Sequence, residues 1–242
     1  MSHYSSHKSV HKSRIYNQIS GLLVINKPKD WTSFDVVAKI RNKLNVKKVG
    51  HTGTLDPQAT GVLVLCIGKG TKLVQELTGL DKEYLCEITL GATSNTDDKE
   101  GEIVETPDAS EIPITKIEEI LKEFTGTFDQ LPPDFSAKKI GGKRAYALAR
   151  QGKEVKLDPV EVTINTMELL DYKWPILKLK ISCTKGFYVR SLARDIGEKL
   201  GVGGYLSELE RTRVGKFSIE SAITIEEADE SKLLSLSAVA HV

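Results

Sequence analysis

The sequence predicts an α+β fold whose sheet is mixed or mainly antiparallel. Three patterns carry that expectation. GLLVIN and VLVLCI are short continuous apolar runs, the mark of strands buried on both faces. KEYLCEITL and LKLKISC alternate with the period of half-buried strands. Between them stand amphipathic helical stripes that follow no regular strand–helix–strand beat.

Residues 1–20 hold no acid and few apolar side chains, so a disordered basic tail is expected, with an unstructured leader favoured over a targeting peptide. A strand from Gly21 follows, and then a helix capped by Thr32 or Ser33 that runs to about Leu44, with Val36, Val37, Ile40 and Leu44 facing inward. Residues 62–67 and 82–90 read as strands, and Gly91 opens a polar, acidic loop. Ile117, Ile120, Leu121 and Phe124 share one helical face that Gly126 stops. Residues 177–183 form another strand, after which Val189, Leu192, Ile196 and Leu200 make a helical stripe ended by Gly201. The residues after Ile225 read as a short final helix or a frayed end rather than a further domain.

A chain of 242 residues with 40% hydrophobic content buries roughly 70 to 75 per cent of its unfolded surface, enough for an enzyme-sized core. Cys66, Cys86 and Cys183 are widely spaced and lack a histidine neighbour, which argues against a disulfide framework or a zinc site and favours a cytoplasmic protein. No apolar run approaches a membrane span. The net charge of +1 averages opposite poles: residues 97–123 hold ten acids and three bases, whereas residues 138–156 hold seven bases and one acid. A basic pole of this kind fits an anionic partner, with nucleic acid first among the candidates, or else a solvated face.

The stretch VGHTGTLDPQATGVLVL sets one carboxylate, Asp56, in a glycine- and threonine-rich loop before a buried strand. Pro57 biases Asp56 toward extended backbone and so aims its carboxylate, while Gly50, Gly53 and Gly61 allow sharp turns or a close ligand. His51 is the one histidine away from the termini. From the residues alone, Asp56 reads first as an ordinary Asx-turn residue, His51 as a loop cap, Tyr84 as a core side chain beside Cys86, Ile88 and Leu90, and Arg190 with Arg194 as a solvated helix face. A histidine and an aspartate five residues apart do not make a metal site.

GHTGTLDPQATGVL resembles the catalytic motif of the TruB family of tRNA pseudouridine synthases. LLVINKPKDWTS, KEYLCEITLGATSNTDDKEG, PPDFSAKKIGGKRAYALARQG, SCTKGFYVRSLARDIGEKLG and LERTRVGKF are similar to the family's other motifs and fall in its order over residues 21 to about 225. The resemblance implies a pseudouridine synthase fold over residues 21–242, with an RNA-gripping insertion at about 127–156. It makes Asp56 the catalytic carboxylate, Arg190 its ion-pair partner and Tyr84 the aromatic that stacks on the target base. Tyr188 and Leu209 would line the pocket, His51 would steady the distorted RNA loop, and Lys27 with Pro28 would support the floor. Lys138, Lys139, Lys143, Arg144, Arg150 and Lys153 would meet RNA phosphates.

The implied reaction is the isomerisation of uridine 55 in the T loop of tRNA, by base flipping, in a monomer without cofactor, metal or guide RNA. Two features depart from the family. No small RNA-binding PUA domain is expected at the C-terminus, as in a short form or a truncation, and Glu210 stands where a basic residue is common. The competing reading is an RNA-binding tRNA-folding chaperone with dispensable catalysis. The guide-dependent branch of the superfamily is disfavoured by the KRAYALARQG insertion.

Overall fold

The computed structural model describes residues 15–135, 139–140, 143–144 and 157–239. Its strands are β1 (Gly21–Lys27), β2 (Val49–His51), β3 (Thr60–Ile67), β4 (Lys82–Leu90), β5 (Ala92–Ser94), β6 (Ile103–Glu105), β7 (Gly126–Gln130), β8 (Lys139–Ile140), β9 (Lys143–Arg144), β10 (Val160–Lys173), β11 (Ile176–Cys183), β12 (Gly204–Val214) and β13 (Phe217–Ser218). Its helices are α1 (Ser33–Lys43), α2 (Val74–Thr78), α3 (Ile114–Glu123) and α4 (Val189–Leu200). None of these helices is long and apolar enough to cross a membrane.

One sheet runs β1-β3-β12-β4-β11-β10-β7, with β2 on β3 and β13 on β12. Only the β3–β12 pair in it is parallel, so the sheet is mixed and mainly antiparallel, as the alternation predicts. The two continuous apolar runs, β1 and β3, are buried on both faces. Leu23, Ile25, Leu63 and Leu65 pack under Val36, Val37 and Ile40 of α1, while Leu22, Val24, Val62 and Val64 face Leu77 of α2 and Phe217 of β13. On β4 the buried residues are Lys82, Tyr84, Cys86, Ile88 and Leu90, and with β11 they form the main core beneath α3 and α4.

Local signals fix the helix ends. Thr32 is the N-cap of α1, its hydroxyl accepting from the Asp35 N–H while the Asp35 carboxylate accepts from Thr32, a reciprocal capping box. Gly201 ends α4 in the left-handed region at φ +75°. Gly61, at φ +99°, lets β3 run beside β12, because a Cβ there would lie 2.3 Å from the Arg211 carbonyl oxygen.

Two segments differ from the sequence expectation. Residues 15–20 belong to the expected tail, yet Asn17 donates to the Leu44 and Asn45 carbonyls, Asn45 donates to that of Ile15, and Ile19 packs on the α1 core. The C-terminal segment forms no α-helix among its described residues. It makes 3-10 turns at Glu230–Lys232 and Leu236–Val239, and between them Leu234 exchanges two backbone hydrogen bonds with Leu22 of β1. Sealing that sheet edge satisfies β1 backbone groups that an isolated helix would leave open.

Candidate active site

The loop between β2 and β3 is pinned from three sides. The Ser33 hydroxyl, at the start of α1, donates to the Leu55 carbonyl at 3.1 Å and accepts the Leu55 N–H at 2.8 Å. From β1, the Lys27 ammonium donates to the carbonyls of Pro28, Trp31 and Pro57 at 2.9, 2.6 and 3.0 Å. From β12, the Arg211 guanidinium donates to the carbonyls of Val62, Thr54 and Gly53. Lys27 and Arg211 are fully buried, and burial pulls the Lys27 ammonium down to about 8. Asp56 sits at the crest of this loop with its side chain 37% exposed.

Arg190, in the first turn of α4, reaches Asp56 with Nε 3.1 Å from Oδ2. The same guanidinium lies 3.4 Å from Asp98 Oδ2 and donates to the carbonyls of Thr96 and Phe135 at 3.2 and 3.0 Å. Asp98 is buried and also accepts from the Thr96 hydroxyl and the Glu100 N–H. Arg190 therefore bridges a buried and an open carboxylate, which fixes the direction of Asp56.

Around this pair lies a cavity of about 320 Å³ lined by the Asp56 loop, Tyr84, Lys82, Tyr188, Leu209 and Arg211. The β4–β12 register sets Tyr84 opposite Arg211 and Leu209 opposite Cys86. Burial pushes the Tyr84 phenol up, so it stays neutral, and the Arg211 guanidinium lies against it. Tyr188 caps α4 through its backbone, its N–H donating to Gln130 Oε1 and its carbonyl accepting from Gln130 Nε2. Lys82 donates to the Thr78 and Leu80 carbonyls at 2.7 and 2.5 Å, and burial with the nearby Arg211 lowers it to about 8. An aromatic ring, an apolar wall and one oriented carboxylate suit a flat polar ring bound beside a sugar.

Asp56, Arg190, Tyr84, Tyr188 and Leu209 thus converge on one cavity. Three other sequence candidates lie off it. His51 is half-buried on β2, where burial holds its imidazole below the usual value, and it accepts only a long 3.4 Å contact from the Gly53 N–H. Lys27 acts from below through the Pro57 carbonyl, and exposed Pro28 contributes a carbonyl to Lys27. Lys139, Lys143 and Arg144 fall in the β8–β9 hairpin, whose backbone pairs Lys139 with Arg144. Lys138, Arg150 and Lys153 lie outside the described residues.

Sequence reasoning missed Asp98, Arg211 and Lys82. The parity of LERTRV, which sets Arg211 on the face of Leu209, was a usable signal for one of them. Nothing local separates Asp98 from Asp97.

Replacing Lys27 by methionine is expected to lower unfolding stability by about 2 to 4 kcal/mol, because three carbonyls lose a charged donor. Urea midpoints measure this, and the matching change at exposed Lys29 should leave the midpoint almost unmoved. Equal midpoints for both variants would contradict the pinning role.

Comparison with known proteins places the chain in a defined context. Residues 41–189 match the family model described as TruB family pseudouridylate synthase (N terminal domain), and residues 190–236 match that of the tRNA pseudouridylate synthase B C-terminal domain. The chain is similar to the tRNA pseudouridine synthase B of Caldanaerobacter subterraneus, 48% identical over 88% of this chain and 75% of the relative. It is also similar to that of Parabacteroides distasonis, 46% identical over 86% of this chain and 92% of the relative. Among solved structures, a chain of a Cbf5-Nop10-Gar1 complex aligns with a TM-score of 0.68 at 33% identity. A chain of an H/ACA RNP bound to a substrate RNA containing 2'-deoxyuridine aligns with a TM-score of 0.65 at 30% identity. Each alignment covers 86% of this chain but only about half of the solved one, 53% and 51%.

Proposed function

The chain belongs to the TruB family of pseudouridylate synthases, and from that premise we propose that it converts uridine 55 in the T loop of tRNA to pseudouridine, with Asp56 as the essential carboxylate. Its relatives carry the name tRNA pseudouridine synthase B, which supports tRNA as substrate and isomerisation as the reaction. The observation that carries the residue assignment is the Arg190–Asp56 contact at the mouth of a cavity walled by Tyr84 and Leu209.

The reaction breaks the bond from ribose C1′ to uracil N1, turns the ring and joins C1′ to uracil C5; C5 releases its proton to water and N1 takes one from water. Atoms balance without a second reactant or a cofactor. The target nucleotide leaves its stack at a cost of a few kcal/mol, and Tyr84 recovers part of that by stacking on the base. Asp56 either adds to C1′ or removes the C2′ proton to give a glycal. Both routes use a free oxygen of the carboxylate. Arg190 holds the carboxylate toward the sugar, while Tyr188 and Leu209 keep the base in plane and exclude water.

In this reading residues 21–242 form the catalytic domain, the insertion at about 127–156 grips RNA phosphates, and a monomer acts on the T arm without guide RNA. The test is tritium release from tRNA labelled at uracil C5, with purified protein and no guide RNA. Release equal to one proton per tRNA, mapped to the T loop, is the expected result. Tight tRNA binding without release would overturn the proposal and favour a folding chaperone.

A further inference from the structure

The charged side chains lining the Asp56 cavity are one carboxylate, Asp56 itself, and the cations of Lys82, Lys185, Arg190 and Arg211. Arg190 is matched by Asp56 and Asp98. Among the described residues the other three have no carboxylate within ion-pair distance. Lys185 is exposed, whereas Lys82 and Arg211 are only 7% and 1% exposed. Burying a cation without a counter-ion is costly, and here two are buried side by side.

Both stand against the same point of the loop. A Cβ on Gly53, three residues before Asp56, would lie 3.4 Å from Arg211 Nη1 and 4.0 Å from Lys82 Cε. Lys82 shares the buried face of β4 with Tyr84, and Arg211 sits opposite Tyr84 on β12, so the sheet register brings both cations to the aromatic wall. Their hydrogen bonds do not account for the charge. Lys82 meets the Thr78 and Leu80 carbonyls, and Arg211 those of Val62, Thr54 and Gly53, acceptors that neutral donors satisfy as well. The Lys82 ammonium has a third hydrogen beyond those two bonds. Burial and the neighbouring Arg211 lower it to about 8, which leaves it mainly a cation at pH 7.

We propose that Lys82, with Arg211 beside it, stabilises the negative charge that the uracil ring carries between leaving C1′ and rejoining it. The inference rests on the proposed function above and deepens it. When the bond from C1′ to N1 breaks, by either route, its electron pair stays on N1 and spreads to the two carbonyl oxygens of the ring. The charge disappears when C5 shares an electron pair with C1′, as the Asp56 carboxylate leaves C1′ or returns the proton to C2′. C5 then gives up its proton and N1 takes one. A fixed cation in the cavity wall acts on charge that appears only as the bond breaks, so it lowers the barrier without tightening substrate binding. The burial of both cations at the aromatic wall favours charge developing on the base over a backbone phosphate, which remains solvated.

The test compares the full chain with Lys82→Met and Lys82→Arg on two substrates, tRNA with uridine and tRNA with a single 5-fluorouridine at the target position. Fluorine withdraws electrons and makes the ring a better leaving group that needs less help. Conversion of the target nucleoside is read after digestion of the RNA, in a single turnover. Lys82→Met should lose roughly 100- to 1,000-fold in rate on uridine and at least about tenfold less than that on 5-fluorouridine, with tRNA affinity unchanged. Lys82→Arg, which keeps the charge, should recover most of the rate. Partial misfolding scales both rates of one protein equally, so it cannot produce the difference between substrates. Equal losses on the two substrates, or a loss of tRNA affinity at an unchanged rate, would overturn the proposal. Failure of the catalytic reading is distinct: the parent would convert neither substrate.

Discussion

Replacing Asp56 by asparagine is expected to cut single-turnover tritium release from tRNA at least about a thousandfold, some 4 kcal/mol of barrier, with tRNA affinity nearly unchanged. Asparagine keeps the size of the side chain but can neither add to C1′ nor take the C2′ proton. The site should not collapse. Arg190 keeps Asp98 and the carbonyls of Thr96 and Phe135, and the loop keeps its anchors from Ser33, Lys27 and Arg211. Affinity should hold because the proposed reading assigns RNA binding to stacking and phosphate contacts rather than to the carboxylate. A rate within tenfold of the parent would remove Asp56 from the chemistry and send the search back to the cavity wall.

Arg190→Met is expected to act on stability and catalysis together. Asp98 has a side chain only 4% exposed, and without the guanidinium it becomes a buried charge with no cation. Breaking one partner of a buried pair costs roughly 3 to 5 kcal/mol, which in a domain of this size lowers the melting temperature by about 10 °C. Catalysis should fall as well, since Asp56 loses the contact that aims it. Adding Asp98→Asn separates the two effects. The double variant should regain much of the melting temperature, because the orphaned charge is gone, and none of the tritium release. Recovery of activity in the double variant would refute an orienting role for Arg190.

The site was partly legible in the sequence, for reasons that differ by residue. Asp56 stood out because a glycine-rich loop ahead of a buried strand is an unusual setting for a lone carboxylate. Tyr84 and Leu209 lie on strands, where alternation assigns a face but not the neighbour across the sheet. Arg190 read equally well as a solvated helix residue until the fold buried it between two carboxylates. Asp98 was hidden in an acidic loop where only the partner on α4, Arg190 for Asp98 and Arg194 for Asp97, distinguishes one aspartate from the next. His51 and Pro28 came from motif resemblance and reach the cavity only indirectly.

The sequence by itself determined the elements: the Thr32 cap of α1, the alternating face of β4 and the Gly201 stop of α4 each rest on patterns a few residues long, and these survive in any tertiary setting. Only the tertiary structure decided which chemistry those elements bring together. Placing β12 between β3 and β4 buries Arg211 under the Asp56 loop, and docking α4 on the sheet sets Arg190 between residues 56 and 98. The C-terminal segment likewise takes its form from the open edge of β1 rather than from its own periodicity. Propensity and hydrophobic period act over one or two turns, whereas these ion pairs and strand registers join side chains far apart in the chain, and burial against a specific partner selects them.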